Sequence, residues 1–513
     1  MDRSKITPLI ILVLAFIVYS YRLDFVPVHL NQDELAFSLN AYSIAKTLRD
    51  ESGRVLPFYF WHLNSFWATP IIVYLTSIVL TFLPIAESTI RLSGVIVAIF
   101  SGIFLVRLTR VILGKKYSYL ALVFFLTTPA LFINSRVLLD NIFPIPFVLL
   151  WLLFFKRYLN SKKLMYLFWS GLFLGIGIHS YHAAKIYMPL YFLASLFFMN
   201  KTKRTISIFI FSLGFFVPII LFVPWLMRYP DTLLNQVSYV SSLDSSVNAS
   251  RGILGVFNPS RLNIFISNYV TYLSPKILFI EGDRSLIHST QMVGAFLFPI
   301  VFFLVFGLIK IIKEKNKFWK LILFGFLTYP IAPSIVNDPQ RISRGLIVIP
   351  FAILLSIYGI KFMLESKEKA LRTLFILLMA ISVFQFGQFL YDYFGEYRVR
   401  SYRWFNDDIG GALESAIKSA QVRDVHRIYL DSNIRFVDTY YLFYQKKLDK
   451  DVLQPWEFFD YNKQDLSTLP EKSLVVLIAG EVKTRNDKIG QFEKIETIRE
   501  PNGNESFYIF YNN

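Results

Sequence analysis

The feature that most limits this fold is a series of apolar runs, several long enough to cross the roughly 30 Å of hydrocarbon in a bilayer. They mark a polytopic α-helical membrane protein, and the chain's 54% hydrophobic residues and mean hydropathy of +0.47 agree. The first run, Thr7 to Tyr19, follows Arg3 and Lys5 in the manner of a signal peptide. No small-residue cleavage site follows it, so it reads as an uncleaved first span. Cysteine is absent from the 513 residues, which removes disulfides, Cys-ligated zinc and thiol nucleophiles.

The net charge of +17 is unevenly spread. Residues 391–513 hold 17 Lys+Arg and 20 Asp+Glu, while residues 1–390 hold 36 and 16. Such an excess in a soluble protein would suggest nucleic acid. Here it lies in loops between apolar runs, so topology explains it and no nucleic-acid partner is expected. Basic clusters at Arg107/Arg110/Lys115/Lys116, Lys156/Arg157/Lys162/Lys163, Lys201/Lys203/Arg204, Lys310 to Lys320 and Lys361 to Arg372 mark the cytoplasmic face. With the N-terminus inside, they predict about 11 transmembrane helices near 6–21, 90–108, 117–133, 141–156, 164–180, 186–200, 205–227, 291–309, 318–333, 345–363 and 370–390. The stretch Phe66 to Ile85 is also apolar, but a span there would turn every later basic cluster outward. It is expected to lie in the outer interface or as a re-entrant hairpin.

This topology gathers twelve of the sixteen acids of residues 1–390 on the side opposite the basic clusters. They are Asp24, Asp33, Glu34, Asp50, Glu51, Glu87, Asp140, Asp231, Asp244, Glu281, Asp283 and Asp338. The rule that sets orientation counts only Lys and Arg, so the acids are an independent sign of where chemistry lies. Residues 1–390 are thus read as a transmembrane catalytic domain, with external loops at 22–89 and 228–290. The tail 391–513 reads as an extracytoplasmic soluble α/β domain, with strand-like runs at His426–Leu430, Ser473–Ile478 and Ser506–Tyr511 and helical patterns at 407–420 and 437–445.

Five clusters carry polar chemistry on the acidic face. Asn31-Gln32-Asp33-Glu34 opens a short surface helix, where one carboxylate could take a proton from an attacking hydroxyl or serve as a first-turn acid behind an N-cap. Asn134 to Asn141 spaces Arg136 and Asp140 i, i+4, which allows a plain salt bridge or a costly carboxylate kept for use. His179-Ser180-Tyr181-His182-Ala183-Ala184-Lys185 suits a phosphate or a metal, or interfacial anchoring. Tyr272 to Arg284, then His288, offers the charges of Asp283, Arg284 and His288 just before a span, with Gly282 allowing a turn. Asn337-Asp338-Pro339-Gln340-Arg341 with Arg344 offers two guanidiniums that could clamp a phosphate.

In this order the five elements resemble the GT-C superfamily of membrane glycosyltransferases, in particular the protein O-mannosyltransferase and lipid A aminoarabinose transferase group. The matching pieces are the acidic pair, Arg-Val-Leu-Leu-Asp-Asn, Gly-Ile-His-Ser-Tyr-His-Ala-Ala-Lys, Ser-Pro-Lys-Ile-Leu-Phe-Ile-Glu-Gly-Asp-Arg and Pro-Gln-Arg-Ile-Ser-Arg-Gly. The resemblance implies inverting transfer of one sugar from a polyprenyl-phosphate donor to a hydroxyl on lipid, glycan or protein, outside the cytoplasm. It puts the catalytic Asp on Asp33, its companion acid on Glu34 and a second carboxylate on Asp140. Lys185, His182, Arg284, His288, Arg341 and Arg344 are candidates for the donor phosphate, with Arg136, His179, Tyr181 and Asp283 nearby. Glu34 and His182 are the candidates for a divalent metal, should one be used. The soluble insert of the mannosyltransferases is absent from the late loops, which argues against a eukaryote-like protein mannosyltransferase. Three rivals are a lipid or sugar transporter or flippase, which should bury charge at mid-span; a structural or sensory membrane protein whose tail binds a ligand, which leaves the acid asymmetry unexplained; and an envelope glycan ligase with a pyrophosphate-linked donor.

Overall fold

The computed structural model describes residues 3–199, 204–233, 261–314, 316–338, 340–448, 456–484 and 492–513. Lys201, Lys203, Asp244, Pro339 and residues 234–260 of the 228–290 loop lie outside the described residues. The bundle begins with α1 (Arg3–Ser20), followed by the surface helix α2 (Gln32–Thr47). A hairpin of β1 (Phe60–His62) and β2 (Phe66–Ala68) leads into α3 (Pro70–Phe82). Then come α4 (Glu87–Leu113), α5 (Lys115–Leu126), α6 (Pro129–Ser135), α7 (Pro144–Ser161), α8 (Leu164–Gly177), α9 (Ala184–Phe198) and α10 (Arg204–Arg228). After α11 (Leu262–Tyr272) come α12 (Ile300–Lys313), α13 (Lys317–Thr328), α14 (Val348–Glu365) and α15 (Lys369–Phe394).

Each predicted span coincides with helix, but the count of eleven full spans is not reached. Among the described residues, five segments are long and apolar enough to cross a membrane, or six if a bent pair is one span. That pair is α5 and α6, expected as one helix over 117–133 and bent by 60°. Pro129 explains the break, since it lacks a donor and its ring disfavours helix in the residue before it. The span expected at 291–309 begins only at Ile300. Residues before it are held by a turn of loop instead: Ala295 N–H donates to Ile277 O and Phe296 N–H to Leu278 O at 2.8 Å.

Contacts sort the helix ends into two groups. At one end Tyr117 donates to Glu365 at 3.2 Å, Lys361 lies over the Tyr117 ring, and Lys156 lies 5.2 Å over Phe318, so the basic turns meet there. At the other, Thr69 bonds Asp140 and Arg91 bonds Glu34. Thr69 immediately precedes α3 and Arg91 lies in the first turns of α4, so both flanks of α3 touch this same end.

The tail from 391 carries a five-stranded sheet in the order β4-β3-β5-β7-β6, with β3 (Arg427–Asp431), β4 (Trp456–Phe459), β5 (Ser473–Ile478), β6 (Glu493–Arg499) and β7 (Glu505–Asn512). The first three strands in space are parallel, while β7 and β6 are antiparallel. Helices α16 (Ile409–Val422) and α17 (Val437–Lys447) occupy the predicted helical patterns. The sheet's edge strands β4 and β6 were not foreseen, because edges carry polar, half-exposed residues that blur the two-residue alternation. This domain is fastened to the acidic end of the bundle. Tyr440 of α17 donates to Leu30 O at 2.6 Å, Lys447 pairs with Glu87 at 2.9 Å, and His29 contacts Glu500 at 2.8 Å.

Candidate active site

The site is built from the start of α2. Asn31 caps the helix, its Oδ1 accepting from Asp33 N–H at 2.9 Å and Glu34 N–H at 3.0 Å. Glu34 Oε2 accepts in return from Asn31 N–H at 3.1 Å, which completes a capping box. The Glu34 carboxylate is wholly buried, and its oxygens also accept from Arg91 Nε, Arg91 Nη2 and Leu138 N–H. Arg91 is equally buried and donates onward to the carbonyls of Leu23, Pro27 and His29. Its neighbour Asp33 points elsewhere: its side chain is 38% exposed and its Oδ1 accepts from His62 Nε2 at 2.8 Å.

Asp140 lies behind them, buried beneath Thr69, whose hydroxyl donates to Oδ2 at 2.7 Å. It is within electrostatic reach of Asp33 and His62. The Arg136–Asp140 salt bridge that the spacing allows does not form. Arg136 is fully buried and spends its donors on the carbonyls of Tyr19, Tyr21, Arg22 and Val26 and on the Tyr393 hydroxyl. Those carbonyls lie in the last turn of α1 and the turns just beyond it, where a guanidinium's fork of donors can serve several at once. A further acid, Glu51, keeps its carboxylate open to solvent although protein crowds it, and accepts from Asn40 Nδ2 at 3.2 Å. Burial pushes Glu51 up to about 7; Asp50 adds to the rise, and Lys446 and His62 oppose it.

The cationic candidates divide. Lys185 Nζ is buried with no hydrogen-bond partner among the described residues, lies 5.1 Å over the Tyr59 ring and is within electrostatic reach of Asp140. His179 packs against Phe58 and Phe222 and bonds the Tyr59 hydroxyl through Nδ1 at 3.0 Å, so it belongs to an aromatic cluster. Tyr181 and His182 are half-buried beside them, with the His182 ring edge-on to Phe66. Arg341 and Arg344 converge on Asp338 at 3.2 and 2.9 Å. Both guanidiniums act on His288, which also feels Asp33.

Two of the loop candidates are engaged by local hydrogen bonds. Burial, together with Arg341 and Arg344, pushes His288 down to about 3. The neutral ring donates Nδ1–H to Asn134 Oδ1 at 2.6 Å. Asp283 is a buried staple whose oxygens accept from Ser285 N–H and Ser343 N–H, both at 2.8 Å, and so tie two loops together. Arg284 stays exposed, with its peptide N–H bonded to Gln340 O.

Glu34, one of the two metal candidates, does not fit a cation. Glu34 is saturated by Arg91 and peptide donors, and among the described residues no three His, Asp or Glu side chains stand together as a cage. Sequence reasoning missed His62, Thr69, Arg91 and Tyr59. The only signal was weak: a histidine closing an aromatic strand, Phe60-Trp61-His62, in the loop that held the acids.

Comparison with known proteins bears on this geometry. The family model described as dolichyl-phosphate-mannose-protein mannosyltransferase matches residues 68–227. The structure of ArnT from Cupriavidus metallidurans bound to undecaprenyl phosphate superposes with a TM-score of 0.56 at 11% identity, covering 98% of this chain and 97% of that one. The Archaeoglobus fulgidus oligosaccharyltransferase tethered with an acceptor peptide gives 0.53 at 13% identity, covering 98% and 74%. The archaeal oligosaccharyltransferase AglB from the same organism, in complex with an inhibitory peptide and a dolichol-phosphate, gives 0.50 at 15% identity, covering 91% and 62%. No curated protein sequence matches the chain. The fold is therefore similar to that of ArnT and of the archaeal oligosaccharyltransferase.

Proposed function

We propose that this chain, built on the GT-C fold, is an inverting glycosyltransferase that moves one sugar from a polyprenyl-phosphate donor to a hydroxyl acceptor at the extracytoplasmic face of the membrane. The reading rests on one juxtaposition. A solvent-open carboxylate, Asp33, and a buried amine without a partner among the described residues, Lys185, flank the same buried acid, Asp140. The carriers bound in two of the similar structures, undecaprenyl phosphate and dolichol-phosphate, support a lipid-phosphate donor.

In the proposed reaction Asp33 accepts the proton of the acceptor hydroxyl as its oxygen attacks the anomeric carbon. The bond from that carbon to the phosphate oxygen breaks on the opposite face, and its electron pair leaves with the lipid phosphate. A phosphate monoester is already a good leaving group, so it needs cations more than a proton. Burial pushes Lys185 down to about 7, with Asp140 opposing, so its charge is secured by the anionic phosphate seated beside it, and Arg341 and Arg344 stand further along the same face. The acceptor could be lipid, glycan or protein.

Incubation of the purified protein with labelled polyprenyl-phosphate sugars and envelope extract tests the reading. Transfer of label to an envelope component, abolished in a folded and inserted Asp33→Asn variant, is the expected result. Undiminished transfer by that variant would overturn the base assignment, and absence of transfer by the parent from any such donor would overturn the activity.

A further inference from the structure

We propose that His62 is the positioning residue for Asp33, fixing which carboxylate oxygen faces the acceptor. The inference rests on the reading of Asp33 as the base. Asp33 occupies the second position of α2, where a short side chain turned to solvent has several open rotamers. One contact removes that freedom: His62 Nε2–H donates to Oδ1 at 2.8 Å. Oδ2 is left as the oxygen without this tether.

The histidine itself is held on all sides. It is 2% exposed, closes strand β1 in register with Phe66, and packs its ring 4.6 Å from Phe37 and 5.0 Å from Phe66. Phe37 lies one turn beyond Asp33 on the same helix, so helix and hairpin lock the pair from both ends. A rigid donor set on packed elements is what a base needs in order to meet a hydroxyl at one fixed angle, and misplacement by about 1 Å costs on the order of 100-fold in rate. The bland alternative is a core histidine that fills space between two phenylalanines.

Two substitutions separate these cases. His62→Phe keeps an aromatic ring between Phe37 and Phe66 and removes the donor, while His62→Gln returns an N–H near the position of Nε2. With transfer from a labelled polyprenyl-phosphate sugar as readout, His62→Phe is expected to lower kcat about 100-fold with the donor KM unchanged. His62→Gln is expected to stay within about 5-fold of the parent, because it restores the hydrogen bond. Added to Asp33→Glu, which keeps a carboxylate but moves it, His62→Phe should cause far less than a further 100-fold loss, since its effect passes through Asp33. Parental kcat in a folded His62→Phe protein, or losses that multiply in the double variant, would overturn the proposal while leaving Asp33 as the base. If the parent transfers nothing, it is the glycosyltransferase reading that falls. If His62→Phe fails to fold, the Gln variant decides: kcat as low as that of Asp33→Asn would overturn the role.

Discussion

Asp33 and Glu34 are adjacent acids with opposite fates, because consecutive side chains on a helix point roughly 100° apart. One direction leads into the bundle end, where Arg91 waits; the other leads to His62 and solvent. Removing one partner of the buried pair should strand a charge, so Glu34→Ala is expected to cost about 3–5 kcal/mol of stability. Asp33→Asn should melt close to the parent. Denaturant unfolding in detergent checks both, and a parental midpoint for Glu34→Ala would refute the structural role. Glu51 gives a pH signature. Its pKa of about 7 lies above the ordinary 4.5, so between those values the folded chain holds a proton that the unfolded chain has released. That contribution to stability is lost as pH rises through the window. Glu51→Gln should therefore gain on the parent in melting temperature from about pH 5 to pH 8. Constant spacing between the two melting curves would show that the shift is absent. From sequence alone, neither the Glu34–Arg91 pair nor the displaced Glu51 was legible. Each depends on chain brought in from elsewhere: Arg91 pairs with Glu34, and the surrounding fold buries Glu51 against the opposing pull of Lys446.

Elements were more legible than their breaks. Length and hydropathy located the helices, because these are sums over local residues. The bend at Pro129 and the late start of α12 at Ile300 were missed, although proline at least marked the first. How closely two helices approach was also hidden. On α8 and α10, side chains are missing where the backbones meet: a Cβ on Gly171 would strike the Phe211 carbonyl, and one on Gly214 the Phe168 carbonyl. Small residues let membrane helices pack backbone to backbone. Gly171→Ile is accordingly expected to force the pair apart at a cost of about 1–3 kcal/mol or more, read as a lower melting temperature in detergent. An unchanged melting temperature would mean that the helices tolerate the separation. The β1–β2 hairpin escaped sequence reading for a different reason. Three-residue strands are too short to establish an alternation, yet this hairpin delivers His62.

At the scale of the whole molecule, the tail domain and the first loop form one structure, joined through Tyr440, Lys447 and Glu500. If the acidic end faces outward, a cysteine placed at 463 in this cysteine-free chain should react with an impermeant reagent in intact cells. One at 115, among the basic turns, should react only after permeabilisation. The reverse pattern would invert the orientation and move the proposed chemistry to the cytoplasmic side. The amino-acid sequence alone determined the membrane class, the helix positions, the basic and acidic ends and the motif order, since run length and charge placement are local properties of the chain. Only the tertiary structure decided which acid reaches the site and which is consumed by the fold. The reason is distance along the chain: His62 is 29 residues from Asp33, Arg91 is 57 from Glu34, and Leu138, which completes the Glu34 cradle, is 104 away. No spacing rule connects such partners. Burial does, because a carboxylate withdrawn from water must find its donors wherever folding brings them.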